Sequence, residues 1–187
     1  MKHILISIAV LPLLITYTSC SKITESLQRD VEIVDTVYFE IPIIEDISKT
    51  ATLPELTTTI DLEAQIRPKV QDLTASNFQF ARLKNLHLGL AEVKKDSIDR
   101  DNNFANLQFI KFNLSEGSKT DTLANIAIPS ANLIGALALP PVMSPETLKP
   151  YLSSSSMKYR ITVKAKKITT KVMYVRAAIS YTVTLSK

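Results

Sequence analysis

The chain contains one cysteine, Cys20, and a thiol can act as a nucleophile, a metal ligand, a disulfide partner or a lipid attachment site. The residues that precede it bear on which of these roles it has. Lys2 precedes an apolar run from Ile4 to Ile15, and the short polar stretch 16–19 follows that run. This order is typical of a secretory signal peptide, and twelve residues interrupted by a proline are too few for a transmembrane helix, which needs about 20.

A lone cysteine directly behind such a signal resembles the lipobox of bacterial lipoproteins. The resemblance implies cleavage before Cys20, a thioether-linked diacylglycerol on its sulfur and usually an acyl chain on its amine. Tyr17 stands where the usual lipobox has leucine, a relaxed form that is similar to Bacteroidota-type lipoproteins. Two or more acyl chains hold a protein firmly on a membrane, and Ser21 in place of aspartate implies the outer membrane of the cell envelope. An ordinary cleaved signal peptide is the alternative.

The expected organisation is a cleaved signal peptide over 1–19, a lipid-anchored tether over 20–30 and a single domain over 31–187. The domain is long enough to bury a sizeable core. Because Cys20 would carry the lipid, the domain would have neither a disulfide nor a thiolate metal ligand.

Few other residues suggest chemistry. His87 is the only histidine after residue 3, and its alternation with leucines indicates a strand residue rather than a zinc ligand. Asp61 and Glu63 share one face of a predicted strand but lack the opposing acid that a glycosidase needs. An oxygen-rich run could bind Ca²⁺, although its spacing departs from the EF-hand and favours a solvated loop. The run contains Asp96, Asp99, Asp101, Asn102 and Asn103.

Sequence motifs for catalysis or cofactor binding are not found. The chain has no nucleophile elbow, no phosphate-binding loop and no dinucleotide fingerprint. The sequence therefore predicts no catalytic residue, no metal and no cofactor.

Charge is distributed unevenly along the chain. The formal net charge is +4, yet the acidic residues end at Glu146, and nine lysines and arginines follow it. One side of the strand predicted over 158–168 forms a candidate interaction face for anionic lipid, acidic polysaccharide or a protein partner. Nucleic acid is not expected there, because no aromatic residues interleave with the lysines. The alternative is that acidic and basic halves pair across a sheet. The candidate face consists of Lys158, Arg160, Lys164 and Lys166.

These residues would be positioned mainly by strands. Ser144-Pro145-Glu146 is a good helix start, and that helix should end near Leu152. With only three glycines, tight hairpins should be rare and connections between sheets common. The predicted fold class is all-β, an antiparallel Greek-key β-sandwich with one short helix near 144–152. Alternating apolar residues predict strands over 31–41, 56–66, 78–93, 106–114, 122–128, 158–168 and 172–185.

Three stretches, 83–88, 103–110 and 148–152, resemble small Bacteroidota-type lipoproteins with an immunoglobulin-like sandwich. That resemblance implies no catalytic residue. The predicted function is a non-enzymatic binding or accessory module anchored in the envelope. One alternative is a carrier of a lipid or other apolar ligand, lined by 126–139 and Met143. The other is a hydrolase that acts through Ser, Asp or Glu.

Overall fold

A computed structural model describes residues 28–91, 99–154 and 156–187 of the chain. The predicted signal peptide, Cys20 and most of the predicted tether lie outside these residues. Within them, nine strands and two α-helices are joined by loops and two short 3-10 turns. The strands are β1 (Arg29–Ile41), β2 (Thr50–Thr52), β3 (Leu56–Thr58), β4 (Phe78–Leu90), β5 (Leu107–Glu116), β6 (Lys119–Ala127), β7 (Ala136–Ala138), β8 (Met157–Ala165) and β9 (Met173–Leu185). The helices are α1 (Leu62–Ile66) and α2 (Pro145–Ser153).

The strands form two antiparallel sheets that pack face to face. Sheet I has the order β1-β9-β4-β7, and sheet II has the order β2-β8-β5-β6 with β3 also paired to β8. Phe39 of β1 and Phe112 of β5 meet edge to face between the sheets, with ring centroids 5.7 Å apart. The predicted fold class, an all-β antiparallel sandwich with a short helix, is confirmed.

Alternation of apolar and polar residues fixes which side of each long strand faces the core. In β8, Tyr159, Ile161 and Val163 are buried, while the residues between them are exposed or half-buried. Burying one large apolar side chain contributes about 1.5–3 kcal/mol. A shift of the strand register by one residue would turn these side chains to the solvent and would therefore be costly. In β9 a set of residues at alternate positions is also buried. That set is Ala177, Ile179, Tyr181, Val183 and Leu185.

Most connections pass from one sheet to the other. Only β5 and β6 are consecutive strands that pair with each other, through the two-residue turn Gly117-Ser118. Gly117 has φ of 57°, a left-handed conformation that glycine adopts without steric cost. The prediction that tight hairpins are rare and connections between sheets are common is therefore confirmed.

The predicted strand over 56–66 is wrong from Thr59 onward. The chain leaves β3 and forms the short helix α1, in which the Asp61 carboxylate accepts a hydrogen bond from the Ala64 amide at 2.9 Å. An aspartate at this position satisfies an otherwise free N–H group of the first turn. Leu62 and Ile66, which are buried, lie four residues apart, so their spacing fits a helix as well as a strand.

α2 confirms the predicted helix and closes one side of the sandwich. It begins after Ser144 with Pro145 in its first turn, and it continues through Pro150 to Ser153. It packs against β4 of sheet I. Tyr151 donates a hydrogen bond to Asp121 of β6, in sheet II, at 2.7 Å. The helix therefore links the two sheets.

The apolar segment 131–139 is less buried than its composition predicts. Leu137 and Leu139 are buried, but Leu133 is 45% exposed. The segment contains β7, a three-residue strand that, among the described strands, pairs with β4 alone, so one edge of β7 is left without a neighbouring strand.

α1 covers the free edge of β1. The side-chain amide of Gln65 accepts from the Val34 amide at 2.9 Å and donates to the Val34 carbonyl at 3.1 Å. Lys69 donates to the carbonyl of Glu32 nearby. These side chains take the place of a neighbouring strand, which protects the edge from pairing with another chain.

Candidate functional site

The predicted basic residues lie on the outer face of sheet II. Lys158, Arg160 and Lys164 alternate with buried residues along β8 and point away from the core. Lys166 follows the end of the strand, and its ammonium donates to the carbonyl of Pro129 at 3.0 Å. The structure therefore brings three of the four residues onto one flat surface and places the fourth at its margin.

Glu55 neutralises one end of this surface. Its carboxylate lies 3.7 Å from the ammonium of Lys158 and 3.5 Å from the guanidinium of Arg160. Ser115 donates to the same carboxylate at 2.6 Å. This hydrogen bond, together with the two cations, lowers the pKa of Glu55. Here an acid from the first half of the chain does pair with the basic second half, as the alternative prediction had it.

The other end of the surface keeps its positive charge. Lys164 lies beside Phe109 on β5, and Lys111 of β5 lies beside Thr162. Neither lysine has a carboxylate within 4.0 Å among the residues that the structure describes. Lys111 was not predicted from the sequence, because it belongs to another strand. Only the register of β5 on β8 places it next to the predicted face.

A second exposed surface, the outer face of sheet I, was also not predicted. Val34 and Tyr38 of β1 are 55% and 64% exposed, and Tyr174 of β9 is 43% exposed. Arg176 of β9 is exposed directly opposite Tyr38. Tyrosine and arginine are among the residues that carry most of the binding energy at protein interfaces.

Beside these large side chains lies a shallow trough. Gly89 and Ala178 contribute to a depression of about 330 Å³ that His87 and Arg176 border. A Cβ atom built on Gly89 would meet no other atom within 4 Å. The space above Gly89 is therefore open and could accept a side chain from outside the protein.

An inward-facing carboxylate joins the two sheets. Asp35 lies on the core side of β1 and accepts hydrogen bonds from Tyr159 at 2.8 Å and from Thr58 at 2.7 Å. The hydroxyls of Tyr159 and Tyr181 are 2.8 Å apart. Burial is the main cause that raises the pKa of both tyrosines, so their hydroxyls stay protonated and can donate. The arrangement holds the sheets together and offers no reactive group.

In the oxygen-rich run at 99–103, the side-chain oxygens accept hydrogen bonds from nearby backbone amides. The Asp99 carboxylate accepts from the Asp101 amide and lies 3.1 Å from the ammonium of Lys171. These contacts, with the Asn102 side chain, lower the pKa of Asp99 to about 2. The Asn102 oxygen accepts from the amides of Thr170 and Lys171. The described residues of the run therefore order a loop. The prediction of a solvated loop is wrong for Asn102 and Asn103, which are buried because their side chains bond to the surrounding backbone. Asp96 lies outside the described residues.

The other candidate residues are separated from one another. His87 faces outward from β4, and Asp61 caps α1. The Glu63 carboxylate accepts hydrogen bonds from the Arg67 side chain and from the Ala75 amide. Asp61 and Glu63 therefore do not share a strand face, contrary to the prediction. In the described part of the chain, no three His, Cys, Asp or Glu side chains lie together as a metal ion would require.

The carrier alternative gains no support from the core. Large side chains, among them Tyr159, Tyr181 and Phe112, fill the space between the sheets. A second depression, of about 350 Å³, adjoins the trough, and neither depression is lined by a residue of 126–139.

Of the helices within the described ranges, none has the length and apolar character needed to cross a membrane.

Comparison with known proteins gives no match: no family model, no curated protein and no solved structure is significantly similar to the chain. The function must therefore be argued from the surfaces described above.

Proposed function

We propose that the chain is a non-enzymatic binding module of the bacterial cell envelope, held at the outer membrane through an acylated Cys20. In this proposal the outer face of sheet II contacts an anionic partner. The observation that carries it is the pair Lys111 and Lys164, two neighbouring cations that no described carboxylate neutralises. Lys158 and Arg160 contribute less, because Glu55 lies between them.

The expected partner is the anionic head-group layer of the membrane itself. A tether over residues 20–30 spans at most about 35 Å, so it would keep the domain within reach of the head groups. Cations near an anionic leaflet each contribute about 1 kcal/mol, and that attraction fades within a Debye length. A flat strand face presents both lysines to such a layer at once.

Lysine footprinting in the native envelope tests the proposal. The full chain is expressed in an exporting bacterial host, and its lysines are acetylated in intact envelope and again after detergent extraction. We expect Lys111 and Lys164 to be protected in the envelope and to become reactive in 1 M salt, since salt screens the contact. Lys49, whose side chain is 81% exposed in a loop, serves as the control that reacts equally throughout.

Equal reactivity of Lys111, Lys164 and Lys49 in the envelope would overturn the proposal. Reconstitution into vesicles identifies the source of the protection. Protection in phosphatidylglycerol vesicles but not in phosphatidylcholine vesicles assigns it to lipid. Protection found only in the native envelope would reject lipid and point to an acidic polysaccharide or a protein.

A further inference from the structure

Exposed apolar side chains gather at one end of the sandwich. Of the nine large apolar residues that are exposed within the described ranges, five lie in loops at the end where β1 and β8 finish and β9 begins. The other four lie on the outer face of sheet I or beside β6. The five, which we call the apolar tip, are between 36% and 61% exposed. They are Ile43, Ile47, Leu133, Ile168 and Val172.

Hydrogen bonds join the loops that carry the tip. Between the β1–β2 and β8–β9 loops, the Thr169 amide donates to the Ile44 carbonyl at 3.1 Å, and the Ile44 amide donates to Thr169 Oγ1 at 2.8 Å. Lys166 connects the β8–β9 loop to the β6–β7 loop through the carbonyl of Pro129. The loops are therefore held in place, and the apolar side chains that they carry stay in water unless a partner covers them.

Cations without a paired carboxylate lie at the same end. Lys164 is the last residue but one of β8, and Lys166 and Lys167 follow the strand into the tip loops. Lys111 lies one row further along the outer face of sheet II. None of these four has a carboxylate within 4.0 Å in the described ranges. The two cations that Glu55 neutralises lie toward the other end of β8.

The acids near the tip are partly neutralised. The described loops at this end, 42–49, 99–106, 128–135 and 166–172, contain five basic and four acidic residues. Asp46 lies 3.1 Å from the ammonium of Lys49, and Asp99 lies 3.1 Å from that of Lys171. Together with the two unpaired lysines of sheet II, this end carries an excess of positive charge, which suits an anionic membrane surface.

We propose that the apolar tip inserts into the boundary between the head groups and the acyl chains of the membrane that holds Cys20. The inference rests on the proposed function and adds an apolar contact beside the contact of Lys111 and Lys164. Apolar side chains enter this boundary in proteins that lie on membranes, while neighbouring lysines keep their charges among the head groups. The tip and the adjoining lysines present this combination.

The tether determines how the sandwich meets the membrane. β1 has 13 residues and is about 43 Å long, and the tether enters it at the end opposite the tip. Because the tether spans at most about 35 Å, the sandwich cannot stand upright on its tip. It has to lean, and the unpaired lysines select the side of sheet II. Leaning to that side brings Lys111 and Lys164 to the head groups while the tip enters the boundary.

Fluorescence quenching by lipid tests the insertion. Cys20 is acylated in this proposal, so Ile168→Cys introduces the only free thiol, at the most exposed position of the tip. The full chain is expressed in an exporting host, extracted in detergent and labelled with the fluorophore NBD. It is then reconstituted into vesicles of phosphatidylcholine and phosphatidylglycerol that contain a lipid with a nitroxide on its acyl chain. Gln79→Cys, exposed at the opposite end, carries the same label as the control.

We expect the nitroxide lipid to quench most of the fluorescence of the label at position 168 and little of that at position 79. Equal quenching at the two positions would overturn the proposal and leave the tip to a protein partner.

A charge placed in the tip provides a second test. Ile43→Asp, added to the chain labelled at position 168, should remove more than half of the quenching, because a carboxylate resists transfer out of water. Val142→Asp is the matched control, since Val142 is 54% exposed, against 46% for Ile43, and lies outside the tip. It should leave the quenching unchanged. Quenching that Ile43→Asp reduces no more than Val142→Asp would contradict insertion of the tip.

Failure of this inference can be told apart from failure of the proposed function. Label incorporated into the chain without an added cysteine would reveal a free Cys20, which would overturn the anchor and, with it, the insertion. Protection of Lys111 and Lys164 in the footprinting experiment, without quenching at position 168, would overturn the insertion alone.

Discussion

At the scale of single residues, the least expected feature is Asp35, a carboxylate on the core side of a strand. Its neighbours on that side, Ile33 and Val37, are buried and apolar. Hydroxyls from sheet II, those of Tyr159 and Thr58, satisfy its Oδ2 atom. Hydrogen bonding of this kind is what allows a polar group to face a core. Asp35 therefore ties the two sheets together on the side opposite α2.

Asp35→Ala should destabilise the protein by about 1–3 kcal/mol, because the buried Tyr159 hydroxyl would lose its acceptor. Urea unfolding followed by circular dichroism measures the change. Asp72→Ala, at an exposed loop position, is the matched control and should change little. An unfolding midpoint for Asp35→Ala equal to that of the control would show that the hydrogen bonds contribute nothing net.

The carboxylate of Asp99 should make stability depend on pH in the acid range. Folding lowers its pKa from 3.8 to about 2. A lowered pKa means that the carboxylate stabilises the fold fully above pH 3.8, and that this contribution is lost as pH falls toward 2. Asp99→Asn should therefore flatten the fall in melting temperature over that interval. The unsubstituted chain is the reference, and a slope for Asp99→Asn equal to that of the unsubstituted chain would refute the assignment.

The sequence could not reveal the partners of Asp35. Thr58, Tyr159 and Tyr181 come from three other strands, and only the packing of the two sheets brings their hydroxyls to one point. The trough of sheet I is hidden for the same reason. Gly89 and Ala136 are unremarkable within their own strands and form one row only through the strand order.

At the scale of elements, local patterns predicted the long strands and α2 well. β8 alternates throughout and β9 alternates as far as Val183. Pro145 marks the start of α2 by its fixed backbone angle, while the Ser144 side chain makes no capping hydrogen bond. The prediction failed at 59–66, where buried residues spaced by two and by four fit both a strand and a helix. Asp61 decided the outcome, because it caps the first turn of α1.

The interaction between α1 and β1 is testable by hydrogen exchange. Gln65→Ala should expose the amide of Val34, which now donates to the Gln65 side chain at 2.9 Å. Its exchange should accelerate, because an uncovered edge amide is open to water. Gln71→Ala, an exposed residue after α1, should have no effect on that amide. Unchanged exchange of Val34 in Gln65→Ala would mean that the edge is protected by something else.

At the scale of the whole molecule, the charges divide into paired and unpaired groups. Carboxylates of the first half of the chain neutralise part of the basic second half, as Glu55 does for Arg160 and Asp99 does for Lys171. Lys111 and Lys164, on the outer face of sheet II, have no carboxylate within 4.0 Å in the described ranges. The described part of the molecule therefore presents a basic face on sheet II, which the proposed function assigns to an anionic layer, and a tyrosine-bearing face on sheet I.

The proposed function places the sandwich at a membrane, and the chemical state of Cys20 is the most direct test of that placement. The full chain is expressed in an exporting bacterial host, recovered from the membrane fraction and digested, and its N-terminal peptide is weighed by mass spectrometry. The account predicts a peptide that begins at Cys20 and carries a diacylglycerol with or without a further acyl chain. It also predicts that Cys20→Ser abolishes the modification. A mature chain that begins elsewhere, or one that keeps an unmodified Cys20, would contradict it.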